Sequence, residues 1–249
     1  MNVSEIFDFL NSRFPVETAC DFDNPGILTG NPKAEVTGAV IALDCTPDVL
    51  NTAISNGCNL IITHHPVIFE PLKSVLAGTV VYELIKNNIA VISMHTNLDI
   101  GKDGVNDSLC KALKLDNIEK VTAEDGFIIN KGVLSKPLLS VELAKFINTA
   151  LNTRVKYNLP DRTINNVLVC SGSGGNYVYE LKKHNCEALI TADVKHNIFI
   201  DALNLGVTVF DAGHFETENV VIEPLKNMLE NQFKAVRFIT ALSSPVSYC

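Results

Sequence analysis

The chain has 249 residues, 47% of them hydrophobic and 19% charged, with no low-complexity tract, which is the balance of a folded globular protein with enough length for two modest lobes. A net charge of -8 and the lack of any Lys/Arg cluster argue against sequence-independent nucleic-acid binding. Apolar runs such as "LIIT" and "NNVLVC" are far shorter than the ~18 to 20 residues that cross a bilayer, so no membrane partner is expected.

The N-terminal MNVSEIFDFLNSRF mixes acidic and polar residues among its apolar ones and has neither a basic leader nor an unbroken apolar stretch. Cytoplasmic residence is the expectation. Seven cysteines at 20, 45, 58, 110, 170, 186 and 249 form an odd set without CxxC spacing, mostly inside apolar segments. They read as buried reduced thiols, not as a disulfide framework or zinc knuckle.

In chain order, GAVIALD (38–44) is β-rich, and TPDVLNTAISNG carries apolar residues at helical spacing closed by Gly57. CNLIIT is a second strand, a helix is expected around 78–88, and IAVISMHT is a third strand. This βαβαβ order predicts a parallel sheet with covering helices. GFIINKGVLSKPLLSVELAKFINTALNTRVKYNL then reads as strand, helix, strand.

The order repeats downstream: NVLVCSG as a strand, NYVYELKKHN as a helix, CEALIT as a strand, a helical HNIFIDALNLG, and GVTVFDAGH as a strand. Cys186 and Thr191 stand 128 residues beyond Cys58 and Thr63, and the same offset lays Leu168 on Val40. We read a degenerate duplication. The C-terminal VIEPLKNMLENQFKAVRFIT supplies a helix and strand that return to the first lobe, giving residues 1–122 with 220–249 as one lobe and 123–219 as the other.

Candidate chemistry gathers at strand ends. In LIITHHPVIFE, Pro66 ends the strand and restricts His65, so the chain bends at His64 and His65 and both imidazoles can converge at the carboxyl end of a parallel strand. An isolated His-His pair is equally well read as one core and one surface residue. Here, however, IAVISMHT ends with His95, and Asp99 follows at the same sheet edge. In DAGHFETE, a helix starting at His214 places Glu218 at i+4 on the same face. Imidazoles and carboxylates without thiolates suit Zn, Mn or Fe. Five side chains, His64, His65, Asp99, His214 and Glu218, exceed what one tetrahedral ion takes, and a bridging carboxylate makes two ions the economical count. His95 lies outside the five as a candidate for proton transfer or for orienting a ligand.

With DFDNPGILTG, ITHHP, HTNLD…GVND, CSGSGG, LITADVKH and DAGHFETE in view, the chain resembles the Nif-three-like family, whose bacterial members are named GTP cyclohydrolase 1 type 2 homologues, over essentially its whole length. The resemblance implies two related three-layer α/β lobes with largely parallel sheets, facing each other across a dinuclear metal cleft. His64, His65, Asp99, His214 and Glu218 match the family's ligands to two divalent ions. It also implies a ring-like homohexamer, without the extra mid-chain domain that some relatives carry.

Three further features have less definite assignments. The loop SGSGGN, Ser171 to Asn176, follows a strand and can either cradle an anion or make a tight strand-to-helix turn. Asp193 and His196 sit at the strand end equivalent to the His-His pair, with either a site or a surface role; His184, in KKHN, reads as a solvated residue at a helix end.

Two functional classes follow. The first is a metal-dependent hydrolase acting on a cyclic amide, a purine nucleotide or a phosphoester; the family name implies hydroxide attack at purine C8 of GTP with release of formate. The second is a metal carrier, chaperone or regulatory protein-binding module without turnover. A structural protein with fortuitous histidines leaves six donors at aligned strand ends unexplained.

Overall fold

The computed structural model describes residues 1–246, so Cys249 lies outside the described residues. The chain folds as two compact units: Met1–Lys102 with Ile222–Cys249, and Asp103–Val221.

The first unit opens with helix α1 (Val3–Arg13). Asn2 caps it, accepting from Glu5 N at 2.9 Å while Glu5 returns a carboxylate to Asn2 N, and Val3, Ile6 and Leu10 form its buried stripe. Strand β1 (Gly26–Thr29) precedes the repeated unit: β2 (Ala39–Ala42), α2 (Pro47–Ser55), β3 (Leu60–Thr63), α3 (Val80–Lys86) and β4 (Ala90–Ser93). Thr46 caps α2 ahead of Pro47 at the first helical position, where a missing N–H costs nothing. The one-turn helix α4 (Thr96–Ile100) follows β4 directly.

The second unit holds α5 (Val105–Ala112), β5 (Asp116–Thr122), β6 (Ile128–Leu139), α6 (Ser140–Leu151), β7 (Lys156–Tyr157), β8 (Thr163–Val169), β9 (Ala188–Thr191), α7 (His196–Leu205), β10 (Thr208–Asp211) and the one-turn helix α8 (His214–Glu218). Helix α9 (Ile222–Gln232) and strand β11 (Phe238–Ala241) then return to the first unit, where β11 pairs in parallel with β2. That return is the one expected from the sequence.

Each unit is α/β around a mixed, largely parallel sheet. The orders are β1-β4-β3-β2-β11 and β5-β6-β8-β9-β10-β7. In the first, β2, β3, β4 and β11 run parallel and only β1 is antiparallel; in the second, β8, β9 and β10 are parallel and flanked by antiparallel strands. Strands β2, β3, β4, β9 and β10 are buried along their whole length, as strands covered on both faces are. In the second unit the two faces are separately filled. Val167, Val169, Ile190 and Phe210 pack with Leu143 and Ile147 of α6 and Leu109 of α5; Leu168, Leu189 and Val209 pack with Leu181 and with Ile198 of α7. The result is three layers.

The duplication is visible in strand register. Ala39 opposes Leu60 and Val167 opposes Ala188, so both partners shift by 128 from the first unit to the second. At the third strand the offset falls: Leu60 opposes Ala90, but Ala188 opposes Thr208, a shift of 118. The missing length lies between strand and helix, where residues 64–79 join β3 to α3 but only 192–195 join β9 to α7.

Two expectations differ from the structure. Residues 103–122 and 220–221 were expected in the first lobe, yet they belong to the second unit: Leu109, Cys110 and Leu113 of α5 pack into its core, and β5 pairs with β6. NYVYELKKHN was expected as a helix, but Gly175–Glu180 forms a 3₁₀ turn. Aromatic and β-branched Tyr177, Val178 and Tyr179 are weak helix formers, and Val178 and Leu181, three apart, both reach the core. Cys58, Cys110, Cys170 and Cys186 are buried, and burial pushes the thiols of Cys45, Cys110 and Cys186 up to about 12. Among the described residues no helix is long and apolar enough to cross a membrane.

Ile41, Ile62 and Ile92 form one fully buried row across β2, β3 and β4. Ile62→Ala, in the middle of that row, is expected to lower stability by about 2–5 kcal/mol in urea unfolding followed by circular dichroism.

Candidate metal centre

Every candidate ligand sits just past the carboxyl end of a parallel strand, and local hydrogen bonds set the direction of each. β3 stops at Thr63, after which the chain bends. Thr63 Oγ1 donates to His65 O at 2.7 Å and Ser93 Oγ donates to His64 O at 2.8 Å, so the bend keeps its backbone oxygens satisfied when the ladder ends. His64 and His65 still donate N–H bonds to Ala42 O and Leu43 O. The bend allows two adjacent imidazoles to approach each other, with ring centroids 4.8 Å apart.

β4 delivers His95, which stands immediately before α4; its ring lies 5.2 Å from that of His64 and 5.5 Å from that of His65. One donor atom from each of the three imidazoles falls within 4.8 Å of the others. Asp99 comes from α4, with Oδ1 at 3.5 Å from His64 Nε2. The structure therefore brings His95 into the imidazole cluster itself.

The imidazole tautomers follow from their partners. His64 Nδ1 lies 2.9 Å from Met94 O, and a carbonyl can only accept, so Nδ1 carries the proton and Nε2 the lone pair. His65 Nδ1 lies 2.8 Å from Asp44 Oδ1, and His95 Nδ1 lies 2.7 Å from Asp23 Oδ1. In the second unit His214 Nδ1 lies 2.6 Å from Asp193 Oδ2. In all four the Nδ1–H is tied to an oxygen and Nε2 is left as the ligating atom, the arrangement that orients metal-binding histidines.

The partner of that Nε2 atom is informative. His64 Nε2 faces the Asp99 carboxylate from a side chain with no exposure, and His214 Nε2 lies 3.0 Å from Glu218 Oε2, itself 5% exposed. A lone pair set against a carboxylate that is buried, as in Glu218, or half-buried, as in Asp99, is repulsive until a cation, either a proton or a metal ion, lies between them. Hydrogen bonding to Glu218, outweighing burial and reinforced by Asp193, raises the pKa of His214 from 6.5 to about 9. Electrostatics that hold a proton so firmly also favour a divalent cation, and the donor set of imidazole and carboxylate suits Zn, Mn or Fe.

Helix α8 realises the expected i, i+4 pairing of His214 with Glu218. The SGSGGN loop is a turn built around this pair. Ser171 N donates to Asn106 Oδ1, Gly172 N to Thr217 Oγ1, and Gly174 N to Thr191 Oγ1, at 2.8, 3.1 and 2.9 Å. Those N–H groups are engaged within the protein, which favours the turn over the anion cradle. Gly172 has φ +59°, and a Cβ there would collide with the Glu218 carboxylate and lie 3.3 Å from His214 Nε2. Glycine is required for both backbone and space.

His196 begins α7 and is exposed. His184 is not solvated as expected: it is half-buried, with Nε2 3.5 Å from Glu180 Oε2. Asp23 and Asp44 were absent from the sequence-derived set. Asp44 follows β2 at a strand end equivalent to those that were noticed, which is the signal that was available. Asp23 lies in a loop, within the DFDNPGILTG segment that carried the resemblance but on no strand or helix whose spacing points to a role. Its side chain has no exposure; burial alone would raise its pKa, but hydrogen bonds from His95 and from Thr96 N and Oγ1 lower it from 3.8 to about 2.

Two α/β units, each ending parallel strands in tethered imidazoles and carboxylates, define the class: an α/β protein whose sheet edges carry His, Asp and Glu groups that could hold a metal ion. The chain belongs to the Duf34/NIF3 (NGG1p interacting factor 3) family, whose model matches residues 1–245. The "GTP cyclohydrolase 1 type 2 homolog" of Clostridium acetobutylicum is 31% identical over 241 residues, spanning 92% of this chain and 90% of the relative; that of Clostridium perfringens is 30% identical over 253 residues, spanning 97% and 96%. Among solved structures, the Staphylococcus aureus hypothetical protein SA1388 matches with a TM-score of 0.93 at 28% identity, covering 100% of this chain and 99% of that one. Reduced HcgD from Methanocaldococcus jannaschii matches with a TM-score of 0.83 at 26% identity, covering 98% of each.

Two predictions follow from the tethers. A carboxylate whose folded pKa is depressed stabilises the fold fully above its unfolded value and loses that contribution as pH falls through the folded one, here between pH 3.8 and about 2. Asp23→Asn should therefore cost about 2 kcal/mol at neutral pH and flatten the loss of stability over that acid window, measured by urea unfolding at stepped pH. Gly172→Ala should displace the Glu218 carboxylate, so metal affinity measured by competition with a chromophoric chelator falls at least about tenfold.

Proposed function

We propose that this protein is a dinuclear metal-dependent hydrolase, with His64, His65, Asp99, His214 and Glu218 as ligands to two divalent ions. The observation that carries the reading is the tethering of His64, His65 and His214 through Nδ1 to Met94 O, Asp44 and Asp193. That fixes Nε2 as the ligating atom before any ion arrives, and preorganisation of this kind favours a retained cofactor over a cargo released on demand. Divalent ions at such a site supply Lewis acidity, which acidifies water and polarises a carbonyl or phosphoryl oxygen.

The chain's own contribution to chemistry centres on His95. Asp23 holds the proton on its Nδ1, leaving Nε2 to take a proton from water or return one to a leaving group, and the carboxylate compensates the imidazolium formed in between. A buried Asp hydrogen-bonded to His fixes tautomer and orientation in this way. The substrate class is a cyclic amide, purine nucleotide or phosphoester. The name borne by the relatives makes GTP the first compound to test. A cytoplasmic homohexamer is part of the proposal, read by native mass spectrometry.

The test is metal content by elemental mass spectrometry on protein prepared without chelator, beside His65→Ala and Glu218→Ala. About two ions per wild-type chain, lost in both variants along with turnover of GTP or a phosphoester, is the expected result. Near-zero metal after anaerobic reconstitution with Zn, Mn or Fe would overturn it. Binding must also displace the proton on His214, whose raised pKa keeps it charged below about 9. Calorimetry in buffers of different ionisation enthalpy should therefore show proton release on metal binding, and affinity that rises as pH approaches 9.

A further inference from the structure

The strand-to-helix connection of the first unit, residues 64–79, is far longer than its counterpart at 192–195, and all of it from Phe69 to Thr79 is exposed. This extra length carries Phe69, 45% exposed, whose ring lies 6.1 Å from that of His95 at 79°. Against Phe69 stands Phe22, 68% exposed, with centroids 6.3 Å apart at 44°. The rings thus run without interruption from buried His64 through His95 and Phe69 to Phe22 at the surface.

The backbone beside these rings is held in place. Asn24 Nδ2 donates to Ile68 O at 2.7 Å, joining the two loops, and neighbouring Asp23 is bound to His95 and to Thr96. Two phenylalanines left this exposed on backbone that is held in place forgo the stabilisation that packing them away from water would give. Such a site is explained when a ligand completes it.

Resting on the hydrolase reading above, we propose that Phe22 and Phe69 form a stacking shelf for a planar nitrogen heterocycle of the substrate, positioning its polar edge toward His95 and the imidazole cluster. A flat π-system suits the shelf because aromatic faces and edges are what Phe22 and Phe69 offer; an aliphatic substrate would gain no orientation from them. Asp21 and Glu70, flanking the two phenylalanines in sequence, disfavour an anionic group at this end. An uncharged ring therefore sits here, and any phosphate lies away from the shelf.

The test uses inosine as a neutral heterocyclic probe and ribose as the same sugar without the ring, titrated by calorimetry into full-length protein with and without reconstituted zinc. Inosine should bind and ribose should not, and Phe22→Ala and Phe69→Ala should each weaken inosine binding about tenfold at unchanged metal content. Phe69→Tyr should retain binding. Equal behaviour of inosine and ribose, or inosine affinity unmoved by both alanine variants, would overturn the shelf. So would a change of assembly mass in those variants without a change in inosine affinity, which would assign the rings to a protein interface. Loss of metal from the wild-type preparation reports on the metal reading alone, because the inosine titration is also run without zinc.

Discussion

The hydrogen bond at Nδ1 of each candidate histidine is the interaction on which the site depends. An imidazole has two nitrogens and a rotatable stem, and an untethered one presents either atom in several directions. Met94 O, Asp44, Asp23 and Asp193 each remove that freedom. Each does so from a strand end or an adjoining loop, so the sheet that buries the core also aims the ligands. The carboxylates add charge compensation when the imidazole gains a proton or a cation. Because a folded parallel sheet ends all its strands at one edge, only short connections are needed to place the tethering group beside its histidine.

The duplicated unit shows how one scaffold supports two different sets of candidate groups. Register is preserved to the residue between β2–β3 and β8–β9, because slipping by one would exchange the side chains packed on the two covered faces of the sheet. Connections are under no such constraint. At the end of β3 stand His64 and His65; at the equivalent end of β9 stand Ala192 and Asp193, where Asp193 orients a histidine instead of supplying one. The same strand end therefore offers candidate ligands in one unit and a tether in the other. The long insertion after β3 is a further departure, whereas the one-turn helices after β4 and β10 keep the 118-residue offset of those strands; all fall beside the candidate chemistry.

Much of this was legible in the sequence, for identifiable reasons. Strands β2, β3, β4, β9 and β10 are short, mostly apolar and followed by turn or cap residues, and the 128-residue offset that aligned Cys58 with Cys186 proved to be the structural register. His64, His65, Asp99, His214 and Glu218 were recognisable because they sit at strand ends or one helical turn apart. The unread parts depended on tertiary contacts. α5 is amphipathic wherever it packs, and the packing of Leu109, Cys110 and Leu113 into the second unit's core is what assigns it there. Asp23 is separated from His95 by 72 residues and lies on no periodic element, so nothing local announces the bond. The stretch after Gly174 looked helical from its spacing, yet its aromatic and β-branched residues settle into a 3₁₀ turn.

Asp23 links several levels of this structure. Its two carboxylate oxygens are shared between His95 Nδ1 on one side and the N–H and hydroxyl of Thr96 on the other, so the residue that orients an imidazole also holds the start of α4. α4 in turn carries Asp99 toward His64. Phe22 and Asn24, its sequence neighbours, stand against Phe69 and bond to Ile68. A single loop thereby couples the proposed proton-transferring group, a proposed metal ligand and the exposed aromatic pair. Such coupling has a cost, since a buried carboxylate is tolerated only while its donors are in place. It also makes the loop a rigid reference from which a substrate ring and a reacting water can be placed at fixed separation, which is what positioning chemistry requires of a scaffold.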